Sequence, residues 1–468
     1  MTVADIWSVM PLLILACGSL AVLLAGAVMP GRYTGAVAVV AALGTALWSC
    51  QQPPVQGAAL GIALTPFARF FTILLAVTAV AAVVLSHDYN RRRGIEGEEY
   101  PATILFATFG MAVVAGATNL LTLFLGLEAL TFAFYVLVAI DRERPESGEA
   151  GLKYLVLGAV SAAFLAFGIA LIYTASGTLA IVPAMRGLSP TGSHSALFLA
   201  GWGFLLAGLA FKVSLVPAHL WTPDVYEGGP APVVAFLATA SKGASVAVLL
   251  LLLPAAHGAE FLHAPLWVLA LLSMTVGNLA ALLQRNIKRM LAYSAIGQMG
   301  YVTLALLSGR GGGYGAAAYY VVAYIAMNLA AFGAIASLSG QEERCLAEEY
   351  RGAGFSRPLA GGVLALAMLA LAGIPPTAGF MGKFLIFAAA LRSGETTLAI
   401  LGIASAIVSV YFYLQVVVTL YLRPPEAPTD FPRTTTGEAA VLGAAALAIV
   451  GLGLFPASLL HLIAGFFP

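Results

Sequence analysis

The chain has 468 residues, of which 61% are hydrophobic and only 9% charged, and its formal net charge is +1. A soluble domain carries about 25% charged residues, so the composition excludes a soluble enzyme and fits an all-α polytopic membrane protein. The scattered basic residues exclude a nucleic-acid surface. The three cysteines, Cys17, Cys50 and Cys345, have no CxxC or metal-ligand spacing, so no disulfide framework or iron–sulfur site is expected.

A hydrophobic run from about Val9 to Met29 lacks a basic leader and reads as a first span rather than a cleaved signal. Hydropathy then predicts fourteen transmembrane helices in all: 8–29, 34–50, 65–86, 101–117, 119–140, 150–175, 196–219, 230–254, 264–283, 288–308, 314–338, 358–391, 395–422 and 437–457. Pro217 interrupts the seventh, and Pro375-Pro376 interrupts the twelfth, which is too long for one straight crossing. Of the 22 lysines and arginines, 14 fall in loops after odd-numbered spans and 3 in loops after even-numbered ones. That bias puts the odd loops, beginning with the one that holds Arg32, in the cytoplasm and both termini on the periplasmic side of a bacterial inner membrane. The longest polar stretches are 87–100, 141–149, 339–357 and 423–436. None is long enough for a soluble domain, so the function lies in the membrane or with partner proteins.

Four ionisable residues interrupt this apolar pattern: Glu128, Lys212, Lys242 and Lys383. Each lies deep in a span, about half of a ~30 Å hydrocarbon layer from either boundary. A charge there costs roughly 2.5–3.5 kcal/mol on insertion scales, or on the order of 10 kcal/mol for the four. A chain that only had to span the membrane would use Leu or Ala. The pattern points to a protein that moves protons or ions.

Glu128 is the only acid well inside a span, in LFLGLEALTFAFYVL. It reads either as a carboxylate that changes protonation state or as a permanent partner locking an interhelical lysine. Lys212 precedes Pro217, whose break frees carbonyls that need water or polar partners. A Lys–Glu pair of adjustable separation is a protonation switch. Lys242 sits among Ser241, Gly243, Ala244 and Ser245, small residues that leave room for water. Lys383 follows the double-proline break. A proline-interrupted helix with a nearby lysine thus occurs twice, the sequence trace of an inverted-repeat transporter. His219, counted as two turns past Lys212, reads equally as a proton relay between Lys212 and Lys242 or as a polar plug for the break. Glu149 and Lys153 stand at i and i+4, as a surface ion pair or an entry point from the cytoplasm. Arg69 snorkels to the outer interface. No GxGxxG follows a strand, no Walker A segment exists, and no spaced His pair offers haem ligands. Energy must come from an ion gradient or a partner.

Several of these stretches resemble one family. FKVSLVPAHLWTPDVYEGGPAPVVAFLATASKGA, QRNIKRMLAYSAIGQMGY, GIPPTAGFMGKF, LFLGLEAL and EAGLKYLVLGAVSAAFLAFGIALIY are similar to subunit N of the bacterial NADH:quinone oxidoreductases, respiratory complex I. The similarity spans about residues 65 to 420. The resemblance implies two inverted five-helix repeats, about 101–254 and 264–422, with broken helices seven and twelve and flanking helices in 1–100 and 437–468. It implies a redox-driven proton translocase subunit in which Glu128 pairs with Lys212, Lys242 bridges and Lys383 faces the outer half-channel. It also implies no cofactor in this chain, with NAD, FMN, iron–sulfur clusters and quinone held by partner subunits. Antiporter-like subunit M, small membrane subunits and lipids are the implied neighbours. Ala218, Gly229, Ala295 and Gly297 depart from the family pattern, and none touches the four charges. Subunits M and L, Mrp-type Na⁺/H⁺ antiporters and membrane-bound hydrogenases share the fold. WTPDVYEGGPAPV and the lysine of GIPPTAGFMGKF favour subunit N.

Overall fold

The computed structural model describes residues 3–28, 33–51, 61–95, 97–186, 195–256, 260–424 and 431–466. Met29, the expected end of the first span, and Arg32 lie outside them. Regular structure among the described residues is helical. This follows from the composition, because lipid offers no partner for a free N–H or C=O and each crossing must satisfy its own backbone.

Four helices come first: α1 (Val3–Val28), α2 (Thr34–Gln51), α3 (Pro66–Arg92) and α4 (Glu99–Gly116). Then come α5 (Leu120–Val138), α6 (Pro145–Ser176), a short α7 (Ile181–Arg186), and the two halves of a broken helix, α8 (Ala196–Val213) and α9 (Trp221–Gly228). The next crossing is α10 (Ala231–Phe236), a π turn over Leu237–Ser241 and α11 (Lys242–Ala255). It is followed by α12 (His263–Leu282), α13 (Ile287–Leu307), α14 (Gly313–Leu338) and a short α15 (Ala353–Ser356). A second broken helix comprises α16 (Pro358–Ala372) and α17 (Ala378–Arg392), and α18 (Thr396–Tyr421), α19 (Thr436–Leu454) and α20 (Pro456–Ala464) complete the chain.

Thirteen helical segments among the described residues are long and apolar enough to cross a membrane, and α16 is a shorter apolar one. The fourteen-span reading is recovered when α16 and α17 count as one interrupted crossing. Side-chain caps fix the starts of the helices that carry the site. Asn119 accepts from Thr122 N ahead of α5, Ser195 from Phe198 N ahead of α8, and Thr377 from Phe380 N ahead of α17.

The bundle is layered by burial. α14 and the α10–α11 crossing are almost wholly enclosed by protein, as is α13, whereas only a third or less of α2, α6, α18 and α19 is buried. The outer helices show Val40, Leu47, Phe167, Ile407 and Leu447 to the surroundings, as lipid-facing helices do. α14 packs against α3, α10, α11, α16, α17 and α19. α11 and α17, which carry Lys242 and Lys383, therefore meet around one buried central helix, and α8, which carries Lys212, packs on α11.

Candidate functional site

The site begins on α5. Glu128 and Thr131 are three residues apart and share a face. Opposite them, Lys212 lies in the last turn of α8 with its side chain 2% exposed. Its Nζ lies 3.0 Å from Glu128 Oε1 and 2.6 Å from Thr131 Oγ1. The Thr131 hydroxyl spends its own proton on the Leu127 carbonyl, so it is free to accept from the ammonium. Glu128 retains 14% side-chain exposure and so reaches the outer surface of the bundle.

α8 stops at Ser214, which has the left-handed φ of 69°. A non-glycine residue there stores on the order of 1 kcal/mol of strain, and the neighbouring bonds show what holds it. Ser214 N donates to Phe211 O at 3.0 Å and Leu215 N to Ala210 O at 2.7 Å. Pro217 then denies the helix an N–H. Side chains bond backbone groups around the break: Trp221 Nε1 donates to Phe211 O at 2.9 Å, and Val216 N donates to Ser273 Oγ at 2.9 Å.

Lys242 completes the break. It follows the π turn, a local widening that reorients the helix beyond it. Its Nζ donates to Val213 O at 3.0 Å and to Ser214 Oγ, and stands 4.8 Å from the centre of the Trp221 ring. Ser214 Oγ and Thr222 Oγ1 are 2.5 Å apart. Lys242 therefore grips the residue immediately after Lys212, and the two lysines are joined through one turn of broken backbone.

Lys383 repeats the arrangement at the second break. α16 ends at Gly373, whose φ of 89° suits a residue without Cβ. Lys383 Nζ donates to the last carbonyls of α16, Leu371 O at 2.7 Å and Ala372 O at 3.2 Å, where the helix dipole favours a cation. It stands 5.3 Å from the Tyr301 ring centre. Leu371 O also accepts from Gln298 Nε2 at 3.2 Å, and Gln298 Nε2 reaches Tyr413 Oη at 2.9 Å. Tyr320 donates to Gln298 Oε1, and Ser294 bonds Tyr413. Asn278 Nδ2 lies 2.9 Å from Tyr301 Oη and 2.7 Å from Ser405 Oγ.

The remaining candidates lie apart from this row. His219 is half-buried in the break, its imidazole bonds neither lysine, and its Nδ1 has no partner among the described residues. Lys153 is exposed and lies 2.8 Å from both Glu149 and Asp224. Asp224 in turn holds Arg289 at 2.7 Å, which holds Glu227 at 2.7 Å. Lys153 and Glu149 thus belong to a surface ion network at the end of α9.

Sequence reasoning missed a buried cluster in the connection between α14 and α15. Glu343 has a fully buried side chain. Its Oε2 is 2.8 Å from Lys288 and 2.9 Å from Arg144, and its Oε1 accepts from Ala231 N at 2.9 Å. Lys288 Nζ also donates to Gly229 O at 2.7 Å. The link between α9 and α10 is therefore clamped at a carbonyl by Lys288 and at an N–H by Glu343. Burial alone pushes the Glu343 carboxyl up, and Lys288 and Arg144 outweigh it, holding it below the usual carboxylate range.

Among the described residues, no group of three or more His, Cys, Asp or Glu side chains is arranged to hold a metal.

Residues 117–409 match the family model described as NADH:quinone oxidoreductase/Mrp antiporter, TM. NADH-quinone oxidoreductase subunit N of Geotalea uraniireducens (strain Rf4) is 62% identical over 464 residues, covering 99% of each chain. The same subunit of Geobacter metallireducens is 60% identical over 466 residues, again covering 99% of each. A chain of respiratory complex I from Thermus thermophilus superposes with a TM-score of 0.83 at 35% identity, covering 96% of this chain and 98% of that one. A chain of the Mrp complex from Dietzia superposes with a TM-score of 0.85 over 99% of this chain and 96% of that one, but at 21% identity this likeness shows the fold alone. The chain belongs to the NADH-quinone oxidoreductase subunit N family, the antiporter-like membrane subunits of respiratory complex I.

Proposed function

We propose that this subunit translocates protons along Glu128, Lys212, Lys242 and Lys383, driven by NADH oxidation and quinone reduction elsewhere in its complex. The observation that carries the reading is the shared grip on one break. Lys212 bonds Glu128 at 3.0 Å, and Lys242 bonds the carbonyl of the very next residue, Val213, at 3.0 Å. A proton shift at one lysine changes the field at the other, as coupled titrating sites require. Of the three deep lysines, Lys212 alone has a carboxylate partner among the described residues, so its charge depends on the Glu128 distance. Glu128 reaches the bundle surface, where an adjoining membrane subunit can alter that distance. Pairing and unpairing then pass inward to Lys242 and on to Lys383.

The same reading treats helices 101–254 and 264–422 as two inverted repeats, each with one broken helix whose freed carbonyls hold a lysine. The loop charge bias supports an orientation with both termini on the periplasmic side of the inner membrane. NAD, FMN, iron–sulfur clusters and quinone belong to partner subunits, and this chain carries no redox centre. Antiporter-like subunit M and the small membrane subunits are its expected neighbours. A gradient-driven Na⁺/H⁺ antiporter is the second reading, favoured only by the shared Mrp-type fold.

The test is proton pumping by the assembled complex in proteoliposomes carrying Lys212→Ala. A reduced number of protons per NADH, with the complex assembled, is expected. The parent ratio would refute the row.

A further inference from the structure

A cavity of about 510 Å³ opens where α3 and α5 end and α4 begins, far along the chain from the lysine row. Arg93, Glu99, Asp141, Arg142 and Glu143 line it. We propose that this cavity seats the head group of a zwitterionic aminophospholipid, phosphatidylethanolamine, with its phosphate on Arg93 and Arg142 and its ammonium on Glu99 and Glu143. The proposal stands on this geometry and does not need the proton-translocating reading above.

Depth selects a lipid. α3 and α5 are both long and apolar enough to cross a membrane, and both stop at the cavity. The cavity therefore lies at the level where the hydrocarbon layer gives way to head groups. Its wall changes character in the same direction. Beside the charges stand Ile95, Tyr100, Val136 and Ile140. Val136 and Phe132, one turn apart on α5, are 53% and 58% exposed. Acyl chains leaving the cavity have this apolar face of α5 to lie on.

Charge selects the head group. The lining offers two guanidiniums and three carboxylates, and only Arg93 and Asp141 are paired, at 3.3 Å. Glu99, Arg142 and Glu143 make no ion pair among the described residues. Arg93 gives Asp141 one nitrogen, Nη2, and its Nε and Nη1 are buried without a hydrogen-bond partner among the described residues. Unmet buried donors are unfavourable, and a phosphate is the group a guanidinium fork bonds best. The Glu99 carboxylate is folded back over Gly97, where an added Cβ would fall 2.1 Å from its Oε2. An anionic head group would answer the arginines and face three carboxylates. A simple amine would answer the carboxylates and face two guanidiniums. A head group with a phosphate and a primary ammonium a few bonds apart meets both, and like charges are kept apart.

The test uses the assembled complex in liposomes, with phosphatidylethanolamine or phosphatidylglycerol carrying a photoactivatable diazirine in one acyl chain as the probe. Peptide mass spectrometry reads the label on residues 132–143. The phosphatidylethanolamine probe should label this end of α5 several-fold more than the phosphatidylglycerol probe. Excess unlabelled phosphatidylethanolamine should suppress that label, and inorganic phosphate should not. Glu99→Gln combined with Glu143→Gln should bring the phosphatidylethanolamine label down to the phosphatidylglycerol level. Arg142→Gln should lower the label from both probes. Equal labelling of the parent by the two lipids would overturn the proposal, as would parent-level labelling of the double variant. Suppression by inorganic phosphate would reduce the cavity to an anion site and overturn it too. No label on residues 132–143 would mean that a partner subunit covers the cavity, and the proposal would fall. If the variants do not assemble, the comparison of the two lipids on the parent complex decides.

Discussion

Glu128 and Lys212 form the one carboxylate–ammonium pair among the four deep charges, 3.0 Å apart. Lys242 and Lys383 have backbone carbonyls instead. Carbonyl dipoles can hold a neutral amine or an ammonium, whereas a carboxylate strongly favours the ammonium. The pair is therefore where an outside perturbation has most leverage on the row. Breaking a buried ion pair costs roughly 3–5 kcal/mol when it leaves a charge stranded. Opening the Glu128–Lys212 distance thus drives Lys212 toward losing its proton.

Glu128→Gln tests that leverage. The amide keeps the size and one acceptor oxygen, so Lys212 keeps a hydrogen bond and loses a counter-charge. The complex should assemble and oxidise NADH while pumping fewer protons per turnover. Measured pumping at the parent ratio would show that the pair is a structural lock and not a switch.

The Glu343 clamp yields a stability prediction. Glu343→Gln leaves Lys288 and Arg144 facing an uncharged amide in a fully buried site, and a loss of roughly 3–5 kcal/mol is expected. The pH dependence follows from the depressed carboxyl. Unfolded, Glu343 titrates near the ordinary value of about 4.3, and folded it titrates lower. Its contribution is therefore complete above the unfolded value and disappears as pH falls through the folded one. Thermal melts of the purified subunit should show a large gap between parent and variant at pH 7 that narrows below about pH 4. An equal gap at both pH values would contradict the assignment.

The four charges stand out in the sequence because an ionisable side chain deep in an apolar span is costly. Their partners do not. Thr131, Ser214 and Thr222 are small hydroxyl residues, which are common in membrane helices and carry no signal of their own. Glu343 and Lys288 fall in or beside polar loops, where charges default to solvent, and only the packing of the 339–352 connection onto α10 and α13 buries them. His219 shows a different limit. Counting two turns from Lys212 assumes an unbroken helix, but α8 ends at Val213, so the helical period does not reach His219. The two breaks were visible as prolines. The π turn before Lys242 was not, since nothing in LATAS distinguishes it from α-helix.

Lys153→Ala should do little. The side chain is 44% exposed and shares one of its two acids, Asp224, with Arg289, and exposed pairs contribute about 0–1 kcal/mol. Assembly should be normal, and the melting temperature should move by a few degrees at most. If pumping collapses while assembly holds, the surface network at the end of α9 is a proton entry point, and Lys153 belongs in the mechanism.

Lys242→Arg separates a carrier from a fixed charge. A guanidinium keeps the positive charge, can bond the Val213 carbonyl and can lie on the Trp221 ring. It stays protonated at any physiological pH. The variant should assemble and fail to pump through this subunit. Pumping at the parent ratio would mean that Lys242 never gives up its proton.

The second break is held by a close approach that one methyl group should disrupt. At Gly379, in the first turn of α17, an added Cβ would fall 1.8 Å from the Ala370 carbonyl oxygen and 2.9 Å from Met327 Sδ. The oxygen is backbone and cannot swing aside, so Gly379→Ala must push α17 away from the end of α16. Overpacking of this kind costs roughly 1–3 kcal/mol. The displacement also pulls Lys383 from the Leu371 and Ala372 carbonyls, which it bonds at 2.7 and 3.2 Å. Lower thermal stability and impaired pumping should appear together. Gly443→Ala is the matched control, since nothing lies within 4 Å of its added Cβ. In the middle of α19 that change should be neutral or stabilise by about 0.5–1 kcal/mol. A Gly379→Ala complex that melts and pumps like the Gly443→Ala complex would show that the two halves of the broken helix do not need this contact to hold Lys383.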